Sequence, residues 1–286
     1  MYPNPSGMRA MEGFSSPSLG NAIGLIFRIE ELKIEHGKWK MQRMERVRIL
    51  GVPIDAVMMN EAVLRVGNML KSAGQHHVMT PNSEMLVEGQ RNPAFRAVMQ
   101  SATLNLPDSV GILRAARWVG QEIAERVSGV DFVEQLCGKL DQNVPVFFLG
   151  GRGGVGERAR DKLGMKNAEL RIVGTYEGSP RDADAEDIIQ RVNSSGAHLL
   201  LVAYGAPQQD LWIAKHFSKM PCVRVAIGVG GTFDFLSGRI TRAPKWMQHM
   251  GLEWLWRLCK EPQRWKRMIH ATIVFPFLVI TKTERH

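Results

Sequence analysis

Long apolar runs are missing from the sequence. A helix that crosses a bilayer needs roughly 20 consecutive apolar residues, whereas the nearest candidate, residues 268–280 (MIHATIVFPFLVI), is shorter and contains Pro276. The N-terminal region also lacks the basic segment, apolar core and cleavage site that an export signal requires. We therefore expect a protein that does not span a membrane, although residues 268–280 are suited to contact one.

Cysteine is scarce as well. The three cysteines, Cys137, Cys222 and Cys259, are widely spaced and form no C-x-x-C motif. This spacing excludes a disulfide framework and a zinc site of the usual kind, and it fits a reducing compartment. Internal repeats and low-complexity tracts are also absent.

Positive charge is concentrated at one end of the chain. The net charge is +9, and residues 239–286 hold ten Lys and Arg against three Glu, which leaves about +2 for the rest. Four of the seven tryptophans lie in the same stretch. We therefore predict a basic, Trp- and Arg-rich C-terminal appendage at residues 239–286, after an N-terminal extension of uncertain order (residues 1–45) and an α/β domain (residues 46–238).

Short apolar segments alternate with helical patterns in the middle of the chain. The first is VRILGVPI, and later ones are HHVMT, VPVFFLG, LRIVGTY, AHLLLVAYG and CVRVAIGVG. Apolar runs of this kind, each followed by a glycine-rich turn and a helical segment, are typical of strands buried on both faces. We predict a Rossmann-like, mostly parallel sheet flanked by helices, with ligands bound beyond the carboxyl ends of its strands.

The loop after VFFL contains a G-x-G-x-x-G motif. Gly150 and Gly151 follow the strand, and a helix is predicted to begin near Glu157. Such glycines let backbone amides approach a diphosphate at the positive end of a helix dipole. The motif fits a sugar nucleotide or a structural turn; a dinucleotide cofactor is the alternative, although its motif usually lies in the first βα unit.

Two further loops carry hydrogen-bonding groups and an acid. Thr80 and Asn82, which flank a proline after HHVM, are suited to bind a diphosphate or a sugar, or else to cap the next helix. Asp108 ends the strand LNL and is placed either as a general base or as the N-cap of a helix beginning near Ile112. Neither loop by itself decides between these alternatives.

The remaining loops complete the predicted rim. Arg126 presents a guanidinium fork suited to a leaving phosphate, with a surface ion pair to Asp131 as the alternative. The segment from Tyr204 through Gln209 and the segment around Asp234 follow the last two strands. Asp234 is a candidate to accept hydrogen bonds from a base or ribose, or else to cap a helix.

One motif is discounted. Asp182 and Asp184 spell the D-x-D with which many glycosyltransferases hold a divalent metal, but they lie in an acidic run, RDADAED, that opens a helix. Negative charge there is favoured by the helix dipole without any metal. We expect no metal and no other cofactor.

Six segments, taken in order, resemble the WecG/TagA/CpsF family of bacterial glycosyltransferases. They are TPN, LPDSVG, ERVSGVD, FFLGG with GVGERA, YGAPQQD and GVGGTFDFLSG, and the likeness runs from about Val47 to about Trp265. Members transfer sugars such as N-acetylmannosamine or its uronic acid, with inversion, from a UDP donor to polyprenyl-diphosphate-linked acceptors in teichoic acid, capsule or exopolysaccharide synthesis. The resemblance therefore implies an enzyme at the inner face of the cell membrane.

The resemblance also implies roles for particular residues. Asp108 becomes the catalytic base, Thr80 and Asn82 line the site, and Arg126 and Gln209 contact the diphosphate or the sugar. Two positions depart from the family pattern, namely Ser109, where Gly is frequent, and Asp210, where Glu is frequent. Ser109 therefore leaves open whether the donor pocket or the acceptor pocket differs from the family pattern.

The appendage is expected to meet the membrane. Its cations (Arg257, Lys260, Arg264, Lys266 and Arg267) suit anionic headgroups, and its tryptophans (Trp254, Trp256 and Trp265) suit the acyl boundary. The resemblance further suggests that Arg264 or Arg267 folds over the active site and reaches UDP. The alternative is that the tryptophans pack on the domain or on a partner copy in a homo-oligomer.

Two other functions are weighed against this one. A nucleic-acid-binding protein would explain the basic charge and the interleaved aromatics, but no recognised nucleic-acid motif appears and the basic segment runs into apolar sequence. An NAD-dependent oxidoreductase would explain the Gly151 loop. We expect a UDP-sugar and a lipid-linked acceptor as partners, and no nucleic acid.

Overall fold

A computed structural model describes residues 46–244, 246–247, 250 and 252–282, with the side chain of Arg264 outside the described part. The predicted extension, residues 1–45, lies outside the described residues. The chain forms an α/β fold in which six parallel strands make the main sheet. This confirms the fold class predicted from the sequence.

The elements follow one another along the chain with short connections. The strands are β1 (Arg46–Ile49), β2 (Val52–Asp55), β3 (His76–Met79), β4 (Leu104–Asn105), β5 (Val146–Gly150), β6 (Ile172–Tyr176), β7 (Leu199–Ala203) and β8 (Val225–Gly228). The helices are α1 (Met59–Lys71), α2 (Ser83–Arg91), α3 (Pro93–Ser101), α4 (Val110–Trp118), α5 (Gly129–Lys139), α6 (Val155–Lys166), α7 (Asp182–Ser195), α8 (Gln208–His216), α9 (Thr232–Leu236), α10 (Glu253–Lys260), α11 (Trp265–Ile269) and α12 (Phe275–Lys282). A π-helical turn, His270–Val274, joins α11 to α12.

The segment VRILGVPI does not join the main sheet as expected. It forms the hairpin β1–β2, an antiparallel sheet of two strands. Leu50 and Gly51 at its turn have φ values of 50° and 78°, the left-handed backbone that two-residue hairpin turns demand. A turn of two residues reverses the chain before a helix can cross over, so the segment cannot supply a parallel strand.

The main sheet has the strand order β4-β3-β8-β7-β5-β6. Alternate residues of a strand point to opposite faces. Phe148 and Leu201 accordingly join the core beneath α1, α5 and α6, whereas Phe147 and Leu200 join the core beneath α7 and α8. The chain crosses from β4 at one edge to β5 in the other half, and the loops that meet at this reversal are those predicted to bind ligand.

A third core packs the C-terminal segment onto the domain. Phe275 and Val279 of α12 are fully buried among residues of α2, α4 and the β1–β2 hairpin. The opposite side of the same segment exposes Ile273, Phe277 and Ile280, each by more than half. Among the described helices, none is both long enough and apolar enough to cross a membrane. The boundary predicted near residue 239 stays a prediction.

Candidate active site

A cavity of about 630 Å³ opens at the carboxyl edge of the main sheet, and we call it the edge cavity. The loops after β3, β4, β5, β6, β7 and β8 all contribute to its wall. Among the residues predicted from the sequence, its lining includes Thr80, Asn82, Asp108, Gly151, Tyr204, Gln209, Asp234 and Arg267. The loops of the resembling motifs thus meet around one space.

A second cavity of about 510 Å³, the side cavity, adjoins the first. The two share Asn82, Asp108, Val130, Phe235 and Arg257. The side cavity extends from Asp108 between α4 and the C-terminal segment. The carboxyl group of Asp108 therefore lies where two separate spaces meet.

Asp108 is held by the backbone on both sides. Its N–H donates to the carbonyl of Pro81 at 3.0 Å, and its Oδ1 accepts the N–H of Gly129 at 3.0 Å. The side chain is 24% exposed. Burial raises the pKa of Asp108 from 3.8 to about 6, although the positive charge of Arg126 and the Gly129 hydrogen bond oppose the rise. A carboxyl with this pKa is ionised at neutral pH and basic enough to accept a proton.

The capping alternative for Asp108 is wrong. The N-cap of α4 is Ser109, whose hydroxyl accepts the N–H of Ile112 at 3.3 Å. Asn82 does cap α2, since its Oδ1 accepts the N–H of Met85 at 3.0 Å, and it lines both cavities as well. Thr80 lies buried beside the carbonyl of Gly228, 3.5 Å from its hydroxyl.

Arg126 lies against Asp108 but lines only the side cavity. Its Nη2 is 3.7 Å from Asp108 Oδ1 and donates to Glu253 Oε2 at 2.9 Å. The predicted alternative, an ion pair with Asp131, is wrong because Asp131 pairs with Arg242 at 2.8 Å. Arg242 also donates to Glu253 at 2.8 Å. A row of alternating charges therefore joins Asp108 to α10 of the appendage.

Gln209 ties two rim loops together. Its Oε1 accepts the N–H of Gly205 at 3.1 Å and the N–H of Gly230 at 2.9 Å, and the residue is only 3% exposed. The next residue, Asp210, is fully buried 3.4 Å from the ring of His77. Gln209 thus fixes the loops after β7 and β8 at the edge of the cavity.

The glycine-rich loop turns sharply between β5 and α6. Gly150, Gly151, Gly153 and Gly154 all have positive φ values between 70° and 93°. Gly151 lines the edge cavity, but Gly150 lines neither cavity, because it lies against β7, where a Cβ would stand 2.8 Å from the carbonyl carbon of Ala203. Gly150 therefore serves the packing of two strands.

Tyr204 faces the edge cavity from the end of β7. Burial raises the pKa of its phenol, and its hydroxyl finds no hydrogen-bond partner among the described residues. Asp234, in the first turn of α9, pairs with Arg239 at 3.3 Å. Both residues line the edge cavity from the loops after β7 and β8.

Arg257 of the appendage, which the sequence predicts to meet the membrane, lies at the two cavities instead. Arg257 of α10 lines both cavities, pairs with Glu261 at 2.9 Å and lies 5.1 Å above the ring of Phe235. Its Nη2 lies so close to Gly231 that a Cβ there would stand 2.7 Å away. Local sequence carries no signal for this placement, because it depends on how the appendage folds back.

Of the two arginines predicted to reach UDP, Arg267 lies at the edge cavity, whereas the side chain of Arg264 is not described. Arg267 lines the edge cavity and pairs with Glu84 of α2. The side chain of Arg264, in the 3-10 turn Pro262–Arg264, lies outside the described part. The indole N–H of Trp256 donates to the carbonyl of Thr241 at 3.0 Å, a bond within residues 239–286, whereas Trp254 and Trp265 are exposed.

Neither Asp182 nor Asp184 of the D-x-D motif lines either cavity. Asp182 pairs with Lys215 at 2.6 Å, and Asp184 accepts from Ser179 and Arg181. The hydrogen bonds from Lys215 and Ser179 lower the pKa values of Asp182 and Asp184, respectively. Within the described ranges, no cluster of three His, Cys, Asp or Glu residues is arranged to hold a metal ion.

Two comparisons with known proteins bear on this site. The model of the glycosyl transferase WecG/TagA/CpsF family matches residues 47–286. A protein of Bacillus spizizenii (strain ATCC 23059 / NRRL B-14472 / W23), N-acetylglucosaminyldiphosphoundecaprenol N-acetyl-beta-D-mannosaminyltransferase, is 32% identical over 193 residues. That alignment covers 67% of this chain and 74% of the relative.

Proposed function

The chain belongs to the WecG/TagA/CpsF family of glycosyltransferases, and we propose that it transfers a sugar with inversion from a UDP donor to a polyprenyl-diphosphate-linked acceptor. One observation carries the proposal. Asp108, with a pKa raised to about 6, lies where the polar edge cavity meets the side cavity. A base between two cavities is what a direct transfer from donor to acceptor requires.

The reaction is a single displacement. The ionised Asp108 removes the proton from an acceptor hydroxyl, whose oxygen attacks the anomeric carbon of the donor. The bond from that carbon to the β-phosphate oxygen breaks, and UDP leaves with the electron pair. The proton remains on Asp108 until solvent takes it, and attack opposite the leaving group inverts the anomeric centre.

Positive groups around the edge cavity stabilise the departing diphosphate. Arg257 and Arg267 line this cavity, and the glycine loop presents the N-terminus of α6 beside Gly151. Fixed charges placed where negative charge develops lower the barrier without a metal. Burial raises the pKa of Asp108, and the positive charge of Arg126 opposes this rise and so favours the ionised base. Thr80, Asn82, Tyr204 and Asp234 orient the donor, and Gln209 fixes the loops that hold it.

The donor sugar proposed is N-acetylmannosamine, with its uronic acid or a related hexose as further candidates. This choice follows the name of the Bacillus relative, which also specifies N-acetylglucosaminyl-diphosphoundecaprenol as that protein's acceptor. Such an acceptor is anchored in lipid. We accordingly place the enzyme on the inner face of the cell membrane, in synthesis of a cell-surface polysaccharide.

Turnover with a panel of UDP-sugars and a short-chain polyprenyl-diphosphate–N-acetylglucosamine acceptor tests the proposal. Asp108→Asn should lower kcat by about 10²-fold or more, since general-base catalysis contributes roughly that much, while UDP still binds by calorimetry. The matched control is Asp161→Asn, a surface acid of α6 paired with Arg160. Full turnover by Asp108→Asn would refute the role of the base, and binding of NAD instead of UDP would refute the donor class.

Metal dependence is tested separately. We expect full activity after treatment with EDTA, because arginines and a helix N-terminus supply the positive charge in the edge cavity. Activity that disappears with EDTA and returns with Mn²⁺ would contradict this expectation.

A further inference from the structure

One face of α4 lines the side cavity, and the side chains along the cavity wall change from polar to charged to aromatic with distance from Asp108. Gly111, Arg114 and Trp118 are spaced by three and four residues, so they lie on the same side of the helix, and all three line the side cavity. The helix begins beside Asp108, with Ser109 as its N-cap. Moving outward from Asp108 along the wall of the side cavity, the groups are the hydroxyls of Ser83 and Ser109, the cation of Arg114 and the ring of Trp118.

The hydroxyls lie at the inner end of this face. Ser83 Oγ and Ser109 Oγ are 3.1 Å apart, and both line the side cavity but not the edge cavity. Gly111 permits this approach, because a Cβ there would stand 2.2 Å from Ser83 Oγ. The inner end is therefore polar and narrow, and suited to sugar hydroxyls or an acetamido group.

The cation follows at a distance that one hexose can span. From Ser109 to Arg114 the rise along a helix is about 7.5 Å. Arg114 is exposed, and no ion pair or hydrogen bond among the described residues engages its guanidinium. A guanidinium that lines a cavity in this way is suited to a diphosphate, whose oxygens it can contact in pairs.

The outer end is apolar and open. Trp118, Met250 and Trp254 are 46%, 62% and 38% exposed at its rim. On the facing wall, Met268, Phe275 and Pro276 of the C-terminal segment complete the lining. An exposed apolar mouth beyond a cation fits an amphiphile whose charged group lies inside and whose hydrocarbon chain leads out.

We infer that the side cavity is the acceptor subsite: the acceptor sugar contacts the Ser83–Ser109 pair, its diphosphate binds Arg114, and its prenyl chain leaves across Trp118 and Trp254. This inference rests on the proposed function for the reacting hydroxyl at Asp108. It also assigns Ser109, where the family often has Gly, to the acceptor side rather than the donor side.

The test compares two arginines of the same helix. Arg114→Gln should raise KM for the short-chain prenyl-diphosphate–N-acetylglucosamine acceptor by roughly tenfold or more, since a charged hydrogen bond is removed, and leave KM for the UDP-sugar unchanged. Arg117→Gln, also exposed on α4 but lining neither cavity, should change neither KM. An unchanged acceptor KM in Arg114→Gln, or an equal rise in both KM values, would overturn the subsite.

A second pair probes the prenyl end. Trp254→Ala should raise the acceptor KM and reduce the benefit of a longer prenyl chain, whereas Trp246→Ala, which is 60% exposed outside both cavities, should not. Equal effects of the two substitutions would argue against this placement of the chain.

Direct binding separates the inference from the proposed function. Titration of a short-chain prenyl diphosphate, followed by tryptophan fluorescence, needs no turnover. Weaker binding to Arg114→Gln than to Arg117→Gln supports the subsite even if the wild type transfers no sugar, a result that would refute the proposed function alone. Equal binding by both variants would refute the subsite while leaving turnover as the test of function.

Discussion

The carboxyl group of Asp108 ends a row of alternating charges. Arg126 comes next, then Glu253, Arg242 and Asp131, with successive contacts of 3.7, 2.9, 2.8 and 2.8 Å. The two neighbours of the base act on its pKa in opposite directions, since Arg126 lowers it and Glu253 raises it. The protonation of Asp108, the proposed base, is therefore coupled to Glu253 of α10.

This coupling predicts the pH dependence of turnover. Asp108 must be ionised to accept a proton, so kcat/KM should rise with pH and level off above a pKa of about 6. Arg126→Gln should move this limb to higher pH and Glu253→Gln should move it to lower pH. The profile of kcat/KM between pH 4.5 and 9 measures both shifts, and shifts in the same direction would contradict the coupling.

The raised pKa also has a cost in stability. A carboxyl whose pKa is 3.8 when unfolded and about 6 when folded binds its proton more tightly in the fold, so stability falls as pH rises between these values. At pH 8 the difference corresponds to roughly 3 kcal/mol. Asp108→Asn should therefore raise the free energy of unfolding at pH 8 by up to about that amount.

Urea unfolding of the wild type and Asp108→Asn at pH 8 and pH 4 checks this sign. The gain should shrink at pH 4, where the folded wild type already carries the proton. A variant that is less stable than the wild type at pH 8 would show that the ionised carboxylate contributes to the fold through its contacts with Gly129 and Arg126.

At the scale of elements, local sequence predicts some features well and others poorly. A buried strand followed by a glycine loop is a pattern of consecutive residues, so the parallel sheet and the edge at which the cavity opens could be predicted. The roles of Ser109 and Arg257 could not. A cap is decided by competition between adjacent residues. The place of Arg257 depends on contacts with Gly231 and Phe235, which precede it by more than 20 residues in the sequence.

The segment from Trp265 to Lys282 illustrates the same limit. Its apolar residues suggest one membrane-facing run, but the helix has two apolar sides with different partners. Phe275 is fully buried in the core with α2 and α4, whereas Phe277 is 64% exposed. The periodicity of the apolar residues does not by itself show which side of the helix packs on protein and which side is exposed.

The two phenylalanines form a matched pair. Phe275→Ala should lower the free energy of unfolding by about 3–5 kcal/mol, because it leaves a cavity in a packed core. Phe277→Ala should change it by less than about 0.5 kcal/mol, as is usual for an exposed position. Urea unfolding measures both, and similar losses in the two variants would contradict the packing of α12.

At the scale of the whole molecule, residues 252–282 line the edge cavity with one set of side chains and expose another set to the outside. Arg257 and Arg267 line the edge cavity. Among the predicted headgroup cations whose side chains the structure describes, only Lys260 and Lys266 are classed as exposed residues. Each lies near an indole ring, that of Trp256 or Trp265. Deleting residues 245–286 is therefore a poor test of membrane contact, because it would also remove Phe275 and Val279 and uncover the core residues of α2 and α4 against which they pack.

Point substitutions on the outer side make a sharper test of the proposed membrane contact. Ile273 and Phe277 are each 64% exposed, and burying them in the acyl boundary would contribute about 25 cal/mol per Å². The double variant Ile273→Asp/Phe277→Asp should therefore lose flotation with anionic vesicles while it keeps turnover on a detergent-solubilised acceptor. Met165→Asp, 86% exposed on α6, is the control for an added charge.

The charged part of the same contact has its own signature. Lys260→Gln/Lys266→Gln should weaken binding to anionic vesicles by about 1 kcal/mol per residue and leave binding to neutral vesicles unchanged. For the wild type, added salt should weaken binding to anionic vesicles only, because salt screens headgroup charge within about 10 Å at 0.1 M. If neither the lysine substitutions nor added salt changes vesicle binding, the contact depends on Ile273 and Phe277 alone. If the double aspartate variant still floats with vesicles, the proposed membrane contact is wrong.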